Sequence, residues 1–579
     1  MNFVLGISCF FHDSAAALVS DQEIICAADE ERFTRVKHDS RFPVNAIKFC
    51  LSNSNININD IDALVFHEDP AVKFDRVSKS FIKNLPKSLT IAKDIISSWH
   101  NEKLWLKETA IRELKIPSTK IHFSEHHFSH SSSAYYPSGF KEAATLTLDG
   151  VGEWITSQGG LQSDKDFKKS WHINFPHSLG LLYSSFAEFL GFEVNEGEFK
   201  VMGMAPYGSP KYIDKIEKLF IKRNSVSYEM DMDFFTYEYS NKSNLGKKFY
   251  NLFGDPRKKE SPFLSDSKKN LILENQVYFA DIASSLQNVI EDQIVNMAKN
   301  LRVSTKSDNL CYAGGVAYNS VANGKIINES GFKNVWIQPA AGDNGAALGA
   351  ALAFQASKNS NNKYSMQTAS LGKSYNEKEC INVLEKVGLN YKILNEKEII
   401  ELTAEQISQG KIIAWFDGRF EFGPRALGNR SILADPRYIE TKNKVNLSVK
   451  YREIFRPFAP MVTKESASNF FEFGKNTVNQ QPFKFMLAVT KVKENFRDKL
   501  QAITHVDGTA RVQIVDEINS NKVHKLLKAF ESKTNFPILL NTSFNKRGEP
   551  MVASPGDAIQ TFMWSDLDIL VLNNIFIKK

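Results

Sequence analysis

Cysteine is scarce and scattered. The 579 residues hold five, Cys9, Cys26, Cys50, Cys311 and Cys380, and no CxxC pair. An odd count at such spacing argues against a disulfide framework or a thiolate zinc site, and suits a reducing cytosol. Long apolar runs are missing as well. None reaches the roughly 18 residues of a membrane span, so no membrane partner is expected. The apolar start MNFVLGISCFF lacks a basic leader and is cut short by His12 and Asp13, so it reads as a buried strand and not a signal peptide. An excess of one charge is also lacking. The 72 basic and 66 acidic residues leave +6, too little over this length to expect nucleic acid as a partner. What is present is ordinary globular composition, 42% hydrophobic and 24% charged, in a chain long enough for more than one domain.

Local pattern gives the first elements. Residues 3–7 are a short apolar run, and residues 15–19 and 24–27 flank a polar turn. A helix is expected after Pro43 and a strand at 63–66. Residues 144–148 lead into Asp149, Gly150 and Gly152 on the same plan of strand, acid, small residues and further strand. That likeness points to a duplicated fold. Phe279, Ile282, Leu286, Ile290, Ile294, Met297 and Leu301 recur at three- and four-residue steps, which predicts a core-packing helix over 275–301. Small-residue junctions between strand and helix follow at 314–319 and 342–347. The polar stretch 358–363 lacks apolar periodicity and reads as a linker. Beyond it, a helix is expected over 397–410 and strands over 412–416 and 537–540.

Four groups of residues carry chemistry. His122, His126, His127 and His130 fall within nine positions. On a helix His126 and His130 share a face and can bind one metal. Carboxylate ligands must then come from elsewhere. Asp149 and Asp343, each ending a predicted strand, are the candidates. A polar helix face near a tight turn is the competing reading, because HxxxH is short and common. Gly150, Gly152, Gly314 and Gly315 each allow backbone N–H groups to approach a phosphate. No P-loop or GxGxxG pattern is present, and a lone glycine is usually a turn. Several in one region, each after an apolar strand, favour nucleotide binding. Residues 419–456 hold nine Lys/Arg against four acids, a local +5. Glycine and proline between those arginines suggest a shaped anion-binding loop. A solubilising surface and RNA-backbone binding are the competing readings, though interleaved stacking aromatics are lacking. Finally, the strand before Asn541 and Ser543 would deliver both to a turn, where they could bind a ligand or simply make the turn.

Ordered motifs run along nearly the whole chain. They are FHDSAAAL (11–18), EERFTRVKH (30–38), HHFSHSSSAYY (126–136), LTLDGVGEW (146–154), EGEFKVMGMAPYG (196–208), AGGVAYNSVANGK (313–325), PAAGDNGAALGAA (339–351), GRFEFGPRALGNRS (418–431), NLSVKYREIFRPFAP (446–460) and LNTSFNKRGEP (540–550). Together they resemble the O-carbamoyltransferase family of antibiotic, toxin and nodulation-factor biosynthesis.

The resemblance implies an α/β protein of two domains. Residues 1–357 would be an actin-like/sugar-kinase ATPase domain of the kind seen in tRNA threonylcarbamoylation proteins. Residues 358–366 would be a linker, and residues 367–579 a YrdC-type α/β domain. Carbamoyl phosphate and ATP would form carbamoyl-adenylate in the C-terminal domain. The N-terminal domain would pass the carbamoyl group to a hydroxyl of a small-molecule or sugar acceptor. The implied metal ligands are His126, His130, Asp149 and Asp343, with iron (Fe2+) the expected ion, other divalent metals compatible, and Mg2+ a candidate for adenylation. His12 is the implied general base and Lys37 a holder of the adenylate phosphate. Arg425, Lys450, Arg456, Arg511, Asn541 and Ser543 match the adenylate-forming site. Gly150, Gly152, Gly314, Gly315 and Asn319 are the implied N-terminal nucleotide contacts. Ala317 and Tyr318 stand where related chains often have Gly-Leu. A cytoplasmic enzyme, with a homodimer the commonest assembly, is the expectation. The alternative is a scaffold or tRNA threonylcarbamoylation-type protein on the same ATPase fold.

Overall fold

The computed structural model describes residues 2–101, 103–164, 166–266, 271–358, 364–450, 452–453, 455–474 and 477–579. Of the expected linker, residues 359–363 lie outside the described residues. The chain divides into two compact units. The first is Met1–Ile25, Ser40–Ser265 and Ile272–Ser365; the second is Cys26–Asp39, Asp266–Leu271 and Met366–Lys579. No disulfide joins the five buried cysteines. Among the described residues, no helix is long and apolar enough to cross a membrane.

The first unit contains one strand pattern twice. Strands β1 (Phe3–Ser8), β2 (Ala15–Ser20), β3 (Ile24–Asp29, whose first two residues belong to this unit), β4 (Ala63–Phe66) and β5 (Ile121–Phe123) are ordered β3-β2-β1-β4-β5. β1 runs antiparallel to β2, with Leu5 opposite Leu18, and parallel to β4, with Gly6 opposite Val65. Strands β6 (Glu142–Leu148), β7 (Ile155–Ser163), β8 (Phe167–Asn174), β9 (Asn309–Ala313) and β10 (Asn334–Ile337) are ordered β10-β9-β6-β7-β8. This repeats the first order and its directions: β6 is antiparallel to β7 and parallel to β9, and β9 is parallel to β10. The duplication expected from the acidic strand ends is therefore a duplication of topology.

Helices fill the unit. α1 (Val44–Asn53) follows Pro43, and α2 (Pro70–Lys83) follows β4. α3 (His126–Ser138) packs against α5 (Asp343–Lys358), and α5 also packs on β1 and β2. Small residues make this approach close. A Cβ on Gly349 of α5 would lie 1.8 Å from the Ser129 carbonyl oxygen of α3, and one on Gly6 of β1 would lie 1.9 Å from the Ala347 carbonyl oxygen. The long amphipathic helix is α4 (Val277–Thr305), with Ile282, Leu286, Ile290, Ile294, Met297 and Leu301 buried along one face. Each such side chain contributes about 1.5–3 kcal/mol by leaving water.

The second unit is built on an eight-stranded mixed sheet. Its strands are β11 (Lys392–Ile393), β12 (Ile413–Phe416), β13 (Arg430–Ala434), β14 (Ala459–Thr463), β15 (Gln513–Val515), β16 (Ile538–Ser543), β17 (Ile569–Leu572) and β18 (Ile575–Lys578). The order is β11-β18-β17-β12-β13-β16-β14-β15. Helices α6 (Glu396–Ser408) and α7 (Asn521–Thr534) cover it. Ile399, Ile407, Leu526 and Phe530 pack there with Trp415, Leu433, Met461 and Leu539 in one apolar core. Asn541 lies inside β16, opposite Leu433 of β13 and Ala459 of β14, and not in a turn.

Candidate active site

In the first unit, α3 begins at His126, so His126 and His130 stand one turn apart and point the same way. Asp149 follows directly on β6. Asp343 does not end a strand. It is the first residue of α5, six positions past the end of the parallel strand β10, where an acid suits the helix dipole. The intervening loop folds back tightly enough that a Cβ on Gly345 would sit 1.8 Å from the Ala340 carbonyl oxygen. His126 Nε2 is 3.2 Å from Asp149 Oδ2 and 3.8 Å from Asp343 Oδ1. His130 Nε2 is 3.4 Å from Asp343 Oδ1 and 3.9 Å from Asp149 Oδ2. One ligand atom from each of the four residues falls within 4.8 Å of the others.

The donor set and its electrostatics fit a divalent metal. Burial pulls the His126 pKa down, but Asp149, Glu68 and Asp343 outweigh it and hold the ring well above its ordinary value. Burial pushes Asp149 up, yet His126, His130 and the Gly315 N–H hold it well below the carboxylate range. Asp343 is held at about 2, against burial, mainly by His130 and His126. Both ring nitrogens of His130 are buried without a hydrogen bond. A buried polar atom in that state costs about 1–3 kcal/mol, which a bound cation would relieve at Nε2, the nitrogen that faces the two carboxylates.

His12 sits on the loop after β1. That loop takes left-handed backbone at two non-glycine residues, Phe10 (φ 70) and Asp13 (φ 52). It is pinned by Phe10 N–H donating to the Ser40 carbonyl at 2.6 Å and by the Ser14 hydroxyl donating to the Ser8 carbonyl at 3.0 Å. His12 Nδ1 lies 3.0 Å from Asp13 Oδ2. Burial lowers the ring's pKa, but Asp13, Asp343 and Asp149 raise it to about 9, so His12 feels the two carboxylates of the ligand cluster.

Two of the expected nucleotide glycines, Gly315 and Gly152, touch the cluster. Gly315 N–H donates to Asp149 Oδ1 at 2.8 Å. A Cβ on Gly152 would lie 2.3 Å from the His126 ring. Gly314, at φ +94, approaches the Leu148 carbonyl so closely that a Cβ would meet it at 2.1 Å. Gly150 has open space, with Leu181 the nearest atom at 4.0 Å. Asn319 caps the helix Ser320–Glu329 by accepting the Ala322 N–H at 3.1 Å, and its amide pairs both ways with Gln287 at 3.0 and 3.1 Å. Two residues beside the ligands, His67 and Glu68, were not singled out by the sequence. The available signal was a polar HED run at the carboxyl end of a buried parallel strand, where α/β folds place sites.

In the second unit, the basic segment separates into two groups. Arg419, Arg430 and Arg437 hold structure. Arg419 donates to the Gly372 and Leu371 carbonyls at 2.7 and 2.9 Å. Arg430 stacks 3.5 Å over Phe416 and donates to the carbonyls of Asp417, Asn429 and Gly418. Arg437 is bidentate on Asp435. Arg425, Lys450, Arg452, Arg456 and Arg511 instead converge. Lys450 is lowered well below its usual range by burial, then by Arg452 and Arg456. Arg511 is lowered by burial, then by Arg425 and Arg456. Arg456 falls to about 10 through burial, with Glu453 opposing and Arg425 and Arg547 adding to the fall. Arg511 Nε is buried without a hydrogen bond. Like charges held together in this way create a strong site for an anion.

Asn541 and Ser543 are the supports of that cluster. Asn541 Nδ2 donates to the Ala426 carbonyl at 3.0 Å and to Gln513 Oε1 at 2.7 Å, fixing the loop that carries Arg425. Lys450 Nζ donates to Ser543 Oγ at 3.1 Å and to Asn545 Oδ1 at 2.6 Å, and also contacts the Ser543 carbonyl. Arg452 Nε donates to Asn446 Oδ1 at 2.7 Å, with the guanidinium 4.5 Å from the Phe458 ring centre. Arg452 was counted in the basic segment but not singled out. Lys37 is half-buried and belongs to this unit, whereas His12 belongs to the first.

Residues 3–352 match the family model described as carbamoyltransferase N-terminus, and residues 404–579 the one described as carbamoyltransferase C-terminus. The uncharacterized protein sll1178 of Synechocystis is 40% identical, over all of this chain and 97% of its own length. Nodulation protein NolNO of Sinorhizobium fredii is 35% identical, over 98% of this chain and 79% of its own length. A solved structure of HypF from T. kodakarensis aligns with 62% of this chain and 48% of that one, at 14% identity and a TM-score of 0.32. With both halves of the family pattern present, the chain belongs to the carbamoyltransferase family and is an enzyme of carbamoyl transfer.

Proposed function

We propose an ATP-dependent O-carbamoyltransferase that works in two half-reactions. The observation that carries this reading is the convergence of Arg425, Lys450, Arg452, Arg456 and Arg511 in the second unit. Such a cluster suits substrates bearing several phosphate charges. Water first hydrolyses carbamoyl phosphate, giving carbamate and releasing phosphate. A carbamate oxygen then attacks the α-phosphorus of ATP and displaces pyrophosphate, forming carbamoyl-adenylate. The cations bind the phosphates and offset the charge that builds on them, with Mg2+ as the companion of ATP.

Transfer belongs to the first unit. His12 takes the proton of the acceptor hydroxyl as that oxygen attacks the carbamoyl carbon, and AMP departs. Gly150 is the expected nucleotide contact of this unit, with open space before it, while Lys37, which belongs to the second unit, is assigned to the adenylate phosphate. His126, His130, Asp149 and Asp343 would hold the metal, for which Fe2+ is the expected ion. When bound, a divalent cation there supplies positive charge that offsets Asp149 and Asp343, the lesser of the carboxylate contributions that raise His12 after Asp13, and so favours the neutral ring its role requires. In this reading residues 1–357 transfer and residues 367–579 activate. The acceptor is a hydroxylated small molecule or sugar in natural-product biosynthesis, and the enzyme is cytoplasmic.

The test is pyrophosphate release by the purified chain from ATP and carbamoyl phosphate. Release is expected, and Arg425→Ala should lower it by at least about 100-fold, a loss of about 2.7 kcal/mol of transition-state stabilisation. His12→Ala should release pyrophosphate normally while forming no carbamate on an acceptor. Absence of release by the unaltered protein under every metal condition removes the reading.

A further inference from the structure

Two buried residues stand beside the ligand cluster without a part in the chemistry above. β4 ends at Phe66, and the next residues, His67 and Glu68, are 1% and 4% exposed. Glu68 places Oε2 3.5 Å from His126 Nδ1. The other nitrogen of that ring, Nε2, faces Asp149 and Asp343. Lys73, in α2, donates to both oxygens of Glu68 at 2.6 and 2.8 Å. This carboxylate is thus fixed in place and its charge balanced, which leaves it poorly suited to be a metal ligand. His67 places Nε2 3.9 Å from Asp343 Oδ2, while Oδ1 of the same carboxylate faces His126 and His130. Both ring nitrogens of His67 are buried without a hydrogen bond. A buried group left in that state calls for a physical reason.

We propose that Glu68 and His67 are positioning residues for the metal centre. Glu68, 3.5 Å from a His126 Nδ1 that is itself buried without a hydrogen bond, is placed to accept from Nδ1–H and so to present the Nε2 lone pair to the ion. His67 Nε2, at 3.9 Å still outside hydrogen-bond range of Oδ2 of Asp343, is placed to donate there once the two draw together, leaving Oδ1 as the ligand atom. Two consecutive residues at one strand end thereby orient a ligand on α3 and another on α5. Partners of this kind fix the tautomer and direction of a ligand, and their loss typically costs about 10–100-fold in metal affinity. The inference rests on the metal reading of the cluster.

The experiment titrates Co2+ alone into the full chain, reading affinity by calorimetry and coordination by visible absorption. His67→Leu and the double variant Glu68→Leu/Lys73→Met are compared with the unaltered protein. The double change leaves no unbalanced buried charge. Thermal unfolding of the metal-free proteins checks that each variant folds. Affinity is expected to fall about 10–100-fold in both, and His67→Gln, which keeps a donor at the ring's far end, should recover most of it. Should His67→Leu or the double variant be too unstable to fold, His67→Phe or Glu68→Gln, each compared with the unaltered protein, carries the same test. Unchanged affinity in folded variants overturns the inference while the metal reading stands. A cobalt spectrum that loses one ligand in His67→Leu makes His67 a ligand and overturns its positioning role. No Co2+ binding by the unaltered protein overturns the metal reading and this inference together.

Discussion

At the scale of the residue, charge and volume decide which side chains meet a ligand. Arg430 and Arg425 share one short motif but have different fates. The Arg430 guanidinium is committed to three backbone carbonyls and the Phe416 ring. Arg430→Ala should therefore destabilise the protein by about 3 kcal/mol, read by thermal or urea unfolding, because buried carbonyls lose their donors. Pyrophosphate release per folded molecule should stay within a few-fold of normal. A glycine shows the same logic for volume. Gly152 leaves room for the His126 ring, and an added Cβ would lie 2.3 Å from it. Gly152→Ala should displace that ring and lower metal affinity by at least about 10-fold, at a stability cost of about 1–3 kcal/mol. Metal titration and thermal unfolding read the two effects separately. The sequence singled out Arg425 and only counted Arg430 in the basic segment, and it could not show that one arginine holds a loop and the other faces a cluster of cations.

At the scale of the element, the ligand cluster depends on how closely α3 and α5 approach. The pair His126 and His130 was legible because helical periodicity alone puts them on one face. Asp149 was legible because a strand ends just before it. Asp343 was placed at a strand end, and instead opens a helix after a folded-back loop. His67 and Glu68 escaped notice because their significance comes only from the packing of α3 and α5 beside the end of β4. The close contact runs through Gly349, where a Cβ would lie 1.8 Å from the Ser129 carbonyl oxygen. Gly349→Ala should separate the helices and cost about 1–3 kcal/mol or more. It should also weaken metal binding, although it touches no ligand. Retention of both stability and affinity would mean that the helices adapt without moving His130 from Asp343.

At the scale of the whole molecule, two compact units divide the proposed work. Selective removal of transition metal, with Mg2+ kept, should abolish carbamate formation on an acceptor and leave pyrophosphate release intact. Loss of both half-reactions would contradict the assignment of the His/Asp cluster to transfer alone. The polar stretch at 358–363 was legible as an interruption of apolar periodicity close to Ser365, where the first unit ends. The membership of residues 26–39 in the second unit was not, since nothing in their composition sets them apart from the strands before them.

The sequence by itself determined the family, the amphipathic helix α4 and the hairpin of β2 and β3, and it offered the His and Asp candidates for a metal, because these follow from local periodicity and residue chemistry. The repeated strand order, the meeting of His126, His130, Asp149 and Asp343, and the sorting of arginines into supports and site cations were decided only by the tertiary structure. The physical reason is that each depends on which distant groups share a buried space. There, an unmatched charge or a single methyl group costs enough to select one arrangement.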